Sequence, residues 1–241
     1  LNEIFKKISN YIFDLLDRYL HQNRILNFIR KENINLDYCI DVGAHSGFYT
    51  DLILKLNKDA KILLFEPQLK YFRKIKKKYK GNKNIKIYRE ALSNKNTKKT
   101  LFVNKHDLTT SLAVNTNNKL YFKLKAKLFN TSVKGMVENK IKIKTIRLDS
   151  VLKKNRSNKI NLIKVDTEGH EFEVIKGLGN KIKSAKYLIV EFHPKETYSN
   201  YSPENIHKYL RNKKFVLKKI YKFPLTTFED RIYKNNLIDW N

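Results

Sequence analysis

Apolar residues along the chain switch between two spacings. From Leu1 to about Glu32 they recur at helical intervals, at Ile4, Ile8, Ile12, Leu15, Leu16, Tyr19, then Ile25, Phe28 and Ile29, which predicts one or two helices. From Tyr38 onward, short continuous apolar runs alternate with helical stretches. Tyr38–Val42, Lys61–Phe65, Ile85–Arg89, Asn161–Val165 and Tyr187–Phe192 read as buried strands. Helices are predicted for Phe48–Leu56, for about Gln68–Tyr79, near Glu171–Lys176, and from Ser202 to about Lys213. The last opens with an N-cap serine followed by Pro203. Phe215–Tyr221 and Arg231–Ile238 supply two late strands.

Strands alternating with helices over this length imply a doubly wound α/β fold, a mostly parallel sheet with helices on both faces. One domain over residues 36–241 is expected, with residues 1–35 as a helical extension packed against it. Contact of that extension with a membrane surface stays open, because its apolar stripe would serve either purpose. Residues 104–140 break the alternation. Thr100–Val103 and Ile141–Arg147 look extended, and the polar stretch between them reads as an insertion or lid at the ligand end.

Composition changes this picture little. Of 241 residues 41% are apolar, enough for one substantial core, and no apolar run approaches the roughly 20 residues that cross a bilayer. Charges interrupt Leu1–Leu20, so that stretch does not read as a secretory signal. The single Cys39 lies in an apolar run and forms no internal disulfide, which favours a reducing, cytoplasmic setting. The formal charge of +28 raises nucleic acid as a partner. However, the surplus is mostly Lys spread over every segment, whereas readout of bases and phosphates favours the planar fork of Arg. Nucleic acid is therefore not the expected partner. Nothing in the sequence fixes the oligomeric state.

Ligands in open α/β sheets bind beyond the carboxyl ends of the strands, near the point where strand order reverses. That rule singles out Asp41, Glu66, Asp166 and His193, each at or just past a strand end. Asp41-Val42-Gly43-Ala44-His45-Ser46-Gly47 is a strand-to-helix turn in which glycines let a ligand lie close to the backbone. It is not the G-x-G-x-x-G dinucleotide fingerprint, since Ala44 or His45 stands where that motif needs its second glycine; it is not a P-loop either. Glu66, about 20 residues past the bend and followed by Pro67, is placed to accept hydrogen bonds from both hydroxyls of a ribose. Asp166-Thr167-Glu168-Gly169-His170-Glu171 crowds three acids and a histidine into six positions, which solvent, a cation or a ligand must compensate. The lesser alternative is that Glu168 and Glu171 serve only to favour a helix N-terminus.

Taken together these blocks resemble the FkbM-type S-adenosylmethionine-dependent methyltransferases. The resemblance runs through Ile40–Gly47, Phe65-Glu66-Pro67, Glu90-Ala91-Leu92-Ser93, Arg147-Leu148-Asp149, Lys164–Glu171 and Glu191-Phe192-His193. His45 replaces the family's usual Asn, and Thr167 its usual Val or Ile. The resemblance implies a Rossmann-like class I fold with seven strands, and methylation of a hydroxyl on a sugar, glycan or other small metabolite.

By that resemblance Asp41, Gly43 and Gly47 shape the methionine end of the cofactor pocket, and Ala44 and His45 also bind the cofactor. Glu66 and Pro67 hold the ribose side, Ala91 and Leu92 lie near the adenine, and Asp166 or Glu168 binds the cofactor's ammonium or orients a base. His170 is the expected general base, because an unperturbed imidazole titrates near pH 6.5. A divalent cation held in part by Asp166, Glu191 and His193 is conceivable on donor chemistry but is not expected. Two alternatives stay open: an RNA methyltransferase, and a non-catalytic module that binds S-adenosylmethionine. A nicotinamide-dependent oxidoreductase is disfavoured by the glycine spacing.

Overall fold

The computed structural model describes residues 22–104, 110–112, 137–152, 159–195, 197–198, 201–223 and 228–239. The apolar stripe of Leu1–Leu20 and most of the 104–140 insertion lie outside these residues.

Seven strands form one sheet: β1 (Tyr38–Val42), β2 (Lys61–Phe65), β3 (Ile85–Tyr88), β7 (Ile160–Val165), β8 (Ala185–Phe192), β9 (Phe215–Lys222) and β10 (Glu229–Asn235). Their order is β3-β2-β1-β7-β8-β10-β9, with β10 running antiparallel to both β8 and β9. The chain winds outward from β1 in both directions, so the switch point lies between β1 and β7. Parallel strands buried on both faces carry little polar alternation, which is why these runs read as continuous apolar segments. Strands β4 (Ala91–Leu92), β5 (Thr97–Asn104) and β6 (Val137–Ile146) instead make a separate three-stranded sheet. The extended segments expected at Thr100–Val103 and Ile141–Arg147 are thus longer and pair with each other.

Helices cover both faces, each burying one side. Ile25 and Ile29 of α1 (Gln22–Lys31), Tyr49 and Ile53 of α2 (Phe48–Leu56) and Ile75 of α3 (Leu69–Lys78) pack with Cys39, Ile62, Leu64, Leu162 and Ile189. On the opposite face, Leu148 and Leu152 of α4 (Leu148–Leu152), Val174 and Ile175 of α5 (Glu171–Gly177), and Ile206 and Leu210 of α6 (Pro203–Asn212) meet Ile40, Ile163, Val165, Leu188 and Val190. The Ser202 hydroxyl caps α6, accepting from the Asn205 amide. The last strand ends at Asn235 rather than running to Ile238. There the Asn235 side chain accepts from the Leu237 amide and turns the backbone out of the sheet. Among the described residues no helix is long and apolar enough to cross a membrane.

The register is what builds a site. Val42 pairs with both Phe65 and Val165, and Val165 pairs with Val190. The next residue on each strand therefore falls in one row: Glu66, Gly43, Asp166 and Glu191, from β2 across to β8. Asp230 of β10 pairs with Glu191 and extends the row.

Candidate active site

The bend after β1 requires glycine at both ends. Gly43 and Gly47 have φ of +80° and +75°, and His45 between them has +45°. A Cβ on Gly43 would lie 1.8 Å from the Asp166 carbonyl oxygen, so the bend and the β7 end touch backbone to backbone. Lys78 and Tyr79 donate to the Gly47 carbonyl, at 3.5 and 2.6 Å, fixing the far side of the bend. The His45 ring lies on Tyr71, with centroids 3.6 Å apart.

Glu66 faces this bend. Its Oε2 accepts from the His45 amide and its Oε1 from the Gln68 amide, both at 2.8 Å. Burial raises its carboxyl from 4.5 to about 7 despite those two bonds. Below the bend, Asp41 accepts from the Thr50 hydroxyl at 2.7 Å, and burial raises it to about 6. Pro67 follows Glu66 directly. Ala44, Ala91 and Leu92 are buried, the last two on β4 of the small sheet.

At the end of β7 the acids part company. Asp166 accepts from Lys164 at 2.9 Å, and its side chain is 37% exposed. Lys164 itself is buried, 3.6 Å from Asp230. Burial pulls its ammonium down, but Asp166, Asp230 and Glu191 outweigh that and raise it above the ordinary lysine range. Glu168, with φ of +55°, accepts from the Tyr198 hydroxyl at 2.6 Å. The loop is held by Glu171, which sequence left open as a mere helix-terminus residue. Its buried carboxylate accepts from the Thr167 amide and hydroxyl and from the Gly169 amide, at 2.9 to 3.1 Å. Ser111, returning from the insertion, donates to the Glu168 carbonyl.

The two histidines sit in different surroundings. His193 stands beside Glu191, with Nε2 3.0 Å from Glu191 Oε2 and 4.0 Å from Glu168 Oε2. Burial lowers its pKa, but Glu191 above all raises it, with a net value of about 10. Tyr198 and Tyr201 pack edge-on against its ring. His170, expected as the general base, is directed elsewhere: its Nε2 lies 3.0 Å from the Ser93 hydroxyl. Burial lowers its pKa to about 4, and its charged neighbours are Lys99, Glu173 and Lys176 rather than the strand-end acids.

Of the residues singled out by sequence, Asp41, Gly43, Glu66, Asp166, Glu168, Glu191 and His193 thus line the strand ends, and His170 does not join them. Of the trio considered for a cation, Asp166 is taken by Lys164, while Glu168 joins Glu191 and His193. Tyr198 and Tyr201 escape a sequence reading because they follow β8 in a stretch with no periodicity. Their only signal is being aromatic beside a strand-end histidine.

A seven-stranded sheet with this order, a glycine bend at the switch point and a carboxylate holding that bend define the class I methyltransferase fold. The magnesium protoporphyrin IX methyltransferase ChlM of Synechocystis PCC 6803 shares it, with a TM-score of 0.50 at 12% identity over 97% of this chain and 83% of that one. Fibrillarin of Aeropyrum pernix has a TM-score of 0.48 at 8% identity, over 83% and 66% of the two chains. The chain belongs to the FkbM methyltransferase family: residues 41–217 match the Methyltransferase FkbM domain. Over 85 residues it is 36% identical to the hexuronic acid methyltransferase AglP of Haloferax volcanii. That stretch makes up 35% of this chain and 34% of AglP, so the match spans about a third of the curated relative.

Proposed function

We propose that the chain transfers a methyl group from S-adenosylmethionine to a hydroxyl of a sugar, with a uronic acid or its glycoside as the favoured acceptor. The observation that carries this reading is the row Glu66–Gly43–Asp166–Glu191, in which the Glu66 carboxylate is bonded to the bend. The donor set fits a cationic cofactor: Asp41, Glu66 and Asp166 crowd one bend, and a sulfonium with an ammonium relieves their mutual repulsion. Support for the acceptor comes from the partial likeness to a hexuronic acid methyltransferase. A net charge of +28 also attracts an acidic sugar.

The bound cofactor would supply an electrophilic methyl group on an excellent leaving group, becoming S-adenosylhomocysteine. The chain's task is to hold the acceptor in line and to receive its proton. Asp41, Gly43, Ala44, His45 and Gly47 line the methionine end. Glu66, beside Pro67, keeps lone pairs for the ribose hydroxyls after accepting its two amide bonds. Ala91 and Leu92 offer an apolar edge to the adenine. Asp166, the most open acid of the row, receives the hydroxyl proton, and Glu168 with His193 holds the acceptor. His170 acts as a positioning residue, tying the Asp166–Gly169 loop to Ser93.

Calorimetry with S-adenosylhomocysteine, followed by transfer of labelled methyl to uronic acid glycosides, neutral glycosides and RNA, tests this. Micromolar binding and labelling of the uronic acid are expected, with at least a hundredfold loss of turnover in Asp166→Asn. A chain that ignores S-adenosylhomocysteine, or labels RNA alone, overturns the proposal.

A further inference from the structure

A sugar hydroxyl is a far weaker acid than any carboxylic acid, and the imidazole expected to take its proton is bonded to Ser93. The other imidazole, His193, is enclosed by carboxylates. Something at this end of the sheet must make the hydroxyl more acidic.

We propose that Glu168, Glu191 and His193 bind one divalent cation, of the kind that accepts mixed carboxylate and imidazole ligands, such as Mn2+. One ligand atom from each of the three residues lies within 4.8 Å of the other two. The spacing suits an octahedral ion. With bonds of about 2.1 Å, neighbouring ligand atoms are about 3 Å apart and opposite ones about 4.2 Å. His193 Nε2 is 3.0 Å from Glu191 Oε2 and 4.0 Å from Glu168 Oε2.

Two independent features point the same way. Glu191 Oε2 and His193 Nε2 are buried, meet none of the geometry of a hydrogen bond, and face each other as an ion pair 3.0 Å apart. Buried polar atoms are nearly always hydrogen-bonded, and a pair held only by charge leaves both lone-pair sites open to a ligand that takes the place of the imidazole proton. The outer shell is also in place. Tyr198 donates to Glu168 Oε2, the Tyr201 hydroxyl accepts from the His193 amide, and Glu171 fixes the loop that carries Glu168. Such supporting bonds orient metal ligands as much as the ligands orient the metal.

Charge favours the same reading. Asp166, Glu168, Glu171, Glu191 and Asp230 lie around this end of the sheet, and Lys164 is paired with Asp166 and Asp230. A cation here would bind the acceptor oxygen and lower its pKa, making a carboxylate such as Asp166 a sufficient base. The new C–O bond forms as the C–S bond breaks, and the proton passes to Asp166.

This inference deepens the methyl-transfer reading but its test separates the two. The full chain, treated with EDTA and desalted, is titrated with MnCl2 while the electron paramagnetic resonance signal of free Mn2+ is followed. S-Adenosylhomocysteine affinity and thermal melting are measured on the same samples. One Mn2+ per wild-type chain is expected. Glu191→Gln and His193→Gln should each weaken binding at least tenfold, with S-adenosylhomocysteine affinity kept within about threefold. Asp166→Asn should retain Mn2+. Wild-type protein that binds S-adenosylhomocysteine but no Mn2+ at millimolar concentration overturns the site and leaves the cofactor reading standing. Unchanged Mn2+ affinity in His193→Gln does the same. Protein that binds Mn2+ through these residues yet ignores S-adenosylhomocysteine sinks the methyl-transfer reading and keeps the site.

Discussion

The His45 amide donates to Glu66 Oε2 at 2.8 Å, tying the bend after β1 to the end of β2. The bond does two things at once. It fixes a bend whose residues adopt φ values rare outside glycine, and it aims a carboxylate at the space above the sheet. Glu66→Ala should therefore reduce S-adenosylhomocysteine affinity about a hundredfold, from two lost bonds to a charged acceptor. Calorimetry reads the loss directly, and an affinity within threefold of wild type would remove Glu66 from the pocket.

The same residue predicts a pH dependence. Burial raises the Glu66 carboxyl from 4.5 to about 7. Between those values the folded chain keeps a proton that the unfolded chain has lost, so the Glu66 contribution to stability falls as pH rises and levels off above 7. Under the proposed ribose contact ligand binding runs the other way, because the ionised carboxylate is the better acceptor. S-Adenosylhomocysteine affinity should climb from pH 6 to 8 in wild type and stay flat in Glu66→Gln.

Much of this arrangement is legible in the sequence because parallel strands impose register. Once Val42, Phe65, Val165 and Val190 are recognised as strand ends, the residues after them must line up. What the sequence hides is direction. His170 and Glu168 are two positions apart, yet Gly169, at φ of +93°, turns the chain so that one meets Ser93 and the other Tyr198. A linear motif carries no record of that turn. The small sheet is hidden for another reason: β5 and β6 are separated by a long polar insertion, and nothing local says that they pair.

His170 offers a test of that turn. With its Nε2 beside Ser93 and its pKa lowered from 6.5 to about 4 by burial, it is neutral at pH 7. His170→Ala should keep S-adenosylhomocysteine affinity and stay within tenfold of wild-type turnover, while losing about 1–3 kcal/mol of stability to the broken bond and the space left behind. As pH falls from 6.5 to 4 the unfolded chain takes up a proton before the folded one, so wild type loses stability there and the variant lacks that component. A thousandfold loss of turnover at unchanged melting temperature would return His170 to the chemistry.

Glu171 has no route to a substrate, and its effect should be purely one of position. Its carboxylate is buried and accepts from Thr167 and Gly169. Glu171→Gln keeps the size and can keep a carbonyl oxygen on Thr167, but sets an NH2 against the Gly169 amide that Oε2 also accepts, so stability should drop by about 1–3 kcal/mol in urea unfolding. Turnover at saturating cofactor should fall as well, because Glu168 loses its fixed backbone, whereas S-adenosylhomocysteine affinity should hold. A variant as stable as wild type would show that the loop needs no such anchor.

Lys164 is the opposite case, a charge whose removal should injure more than its bonds suggest. It lies buried between Asp166 at 2.9 Å and Asp230 at 3.6 Å, with Glu191 paired to Asp230 in register. Taking away the ammonium leaves those carboxylates facing one another in a poorly solvated space, and breaking a buried pair from one side typically costs about 3–5 kcal/mol. Lys164→Met should therefore unfold at markedly lower urea concentration. Asp230→Asn removes one of the stranded charges, so the double variant should recover part of the loss, giving a coupling that urea unfolding of all four proteins can measure. Additive losses would mean that Lys164 acts through packing against Tyr49, over whose ring its ammonium sits at 5.8 Å, and not through the acids at the strand ends.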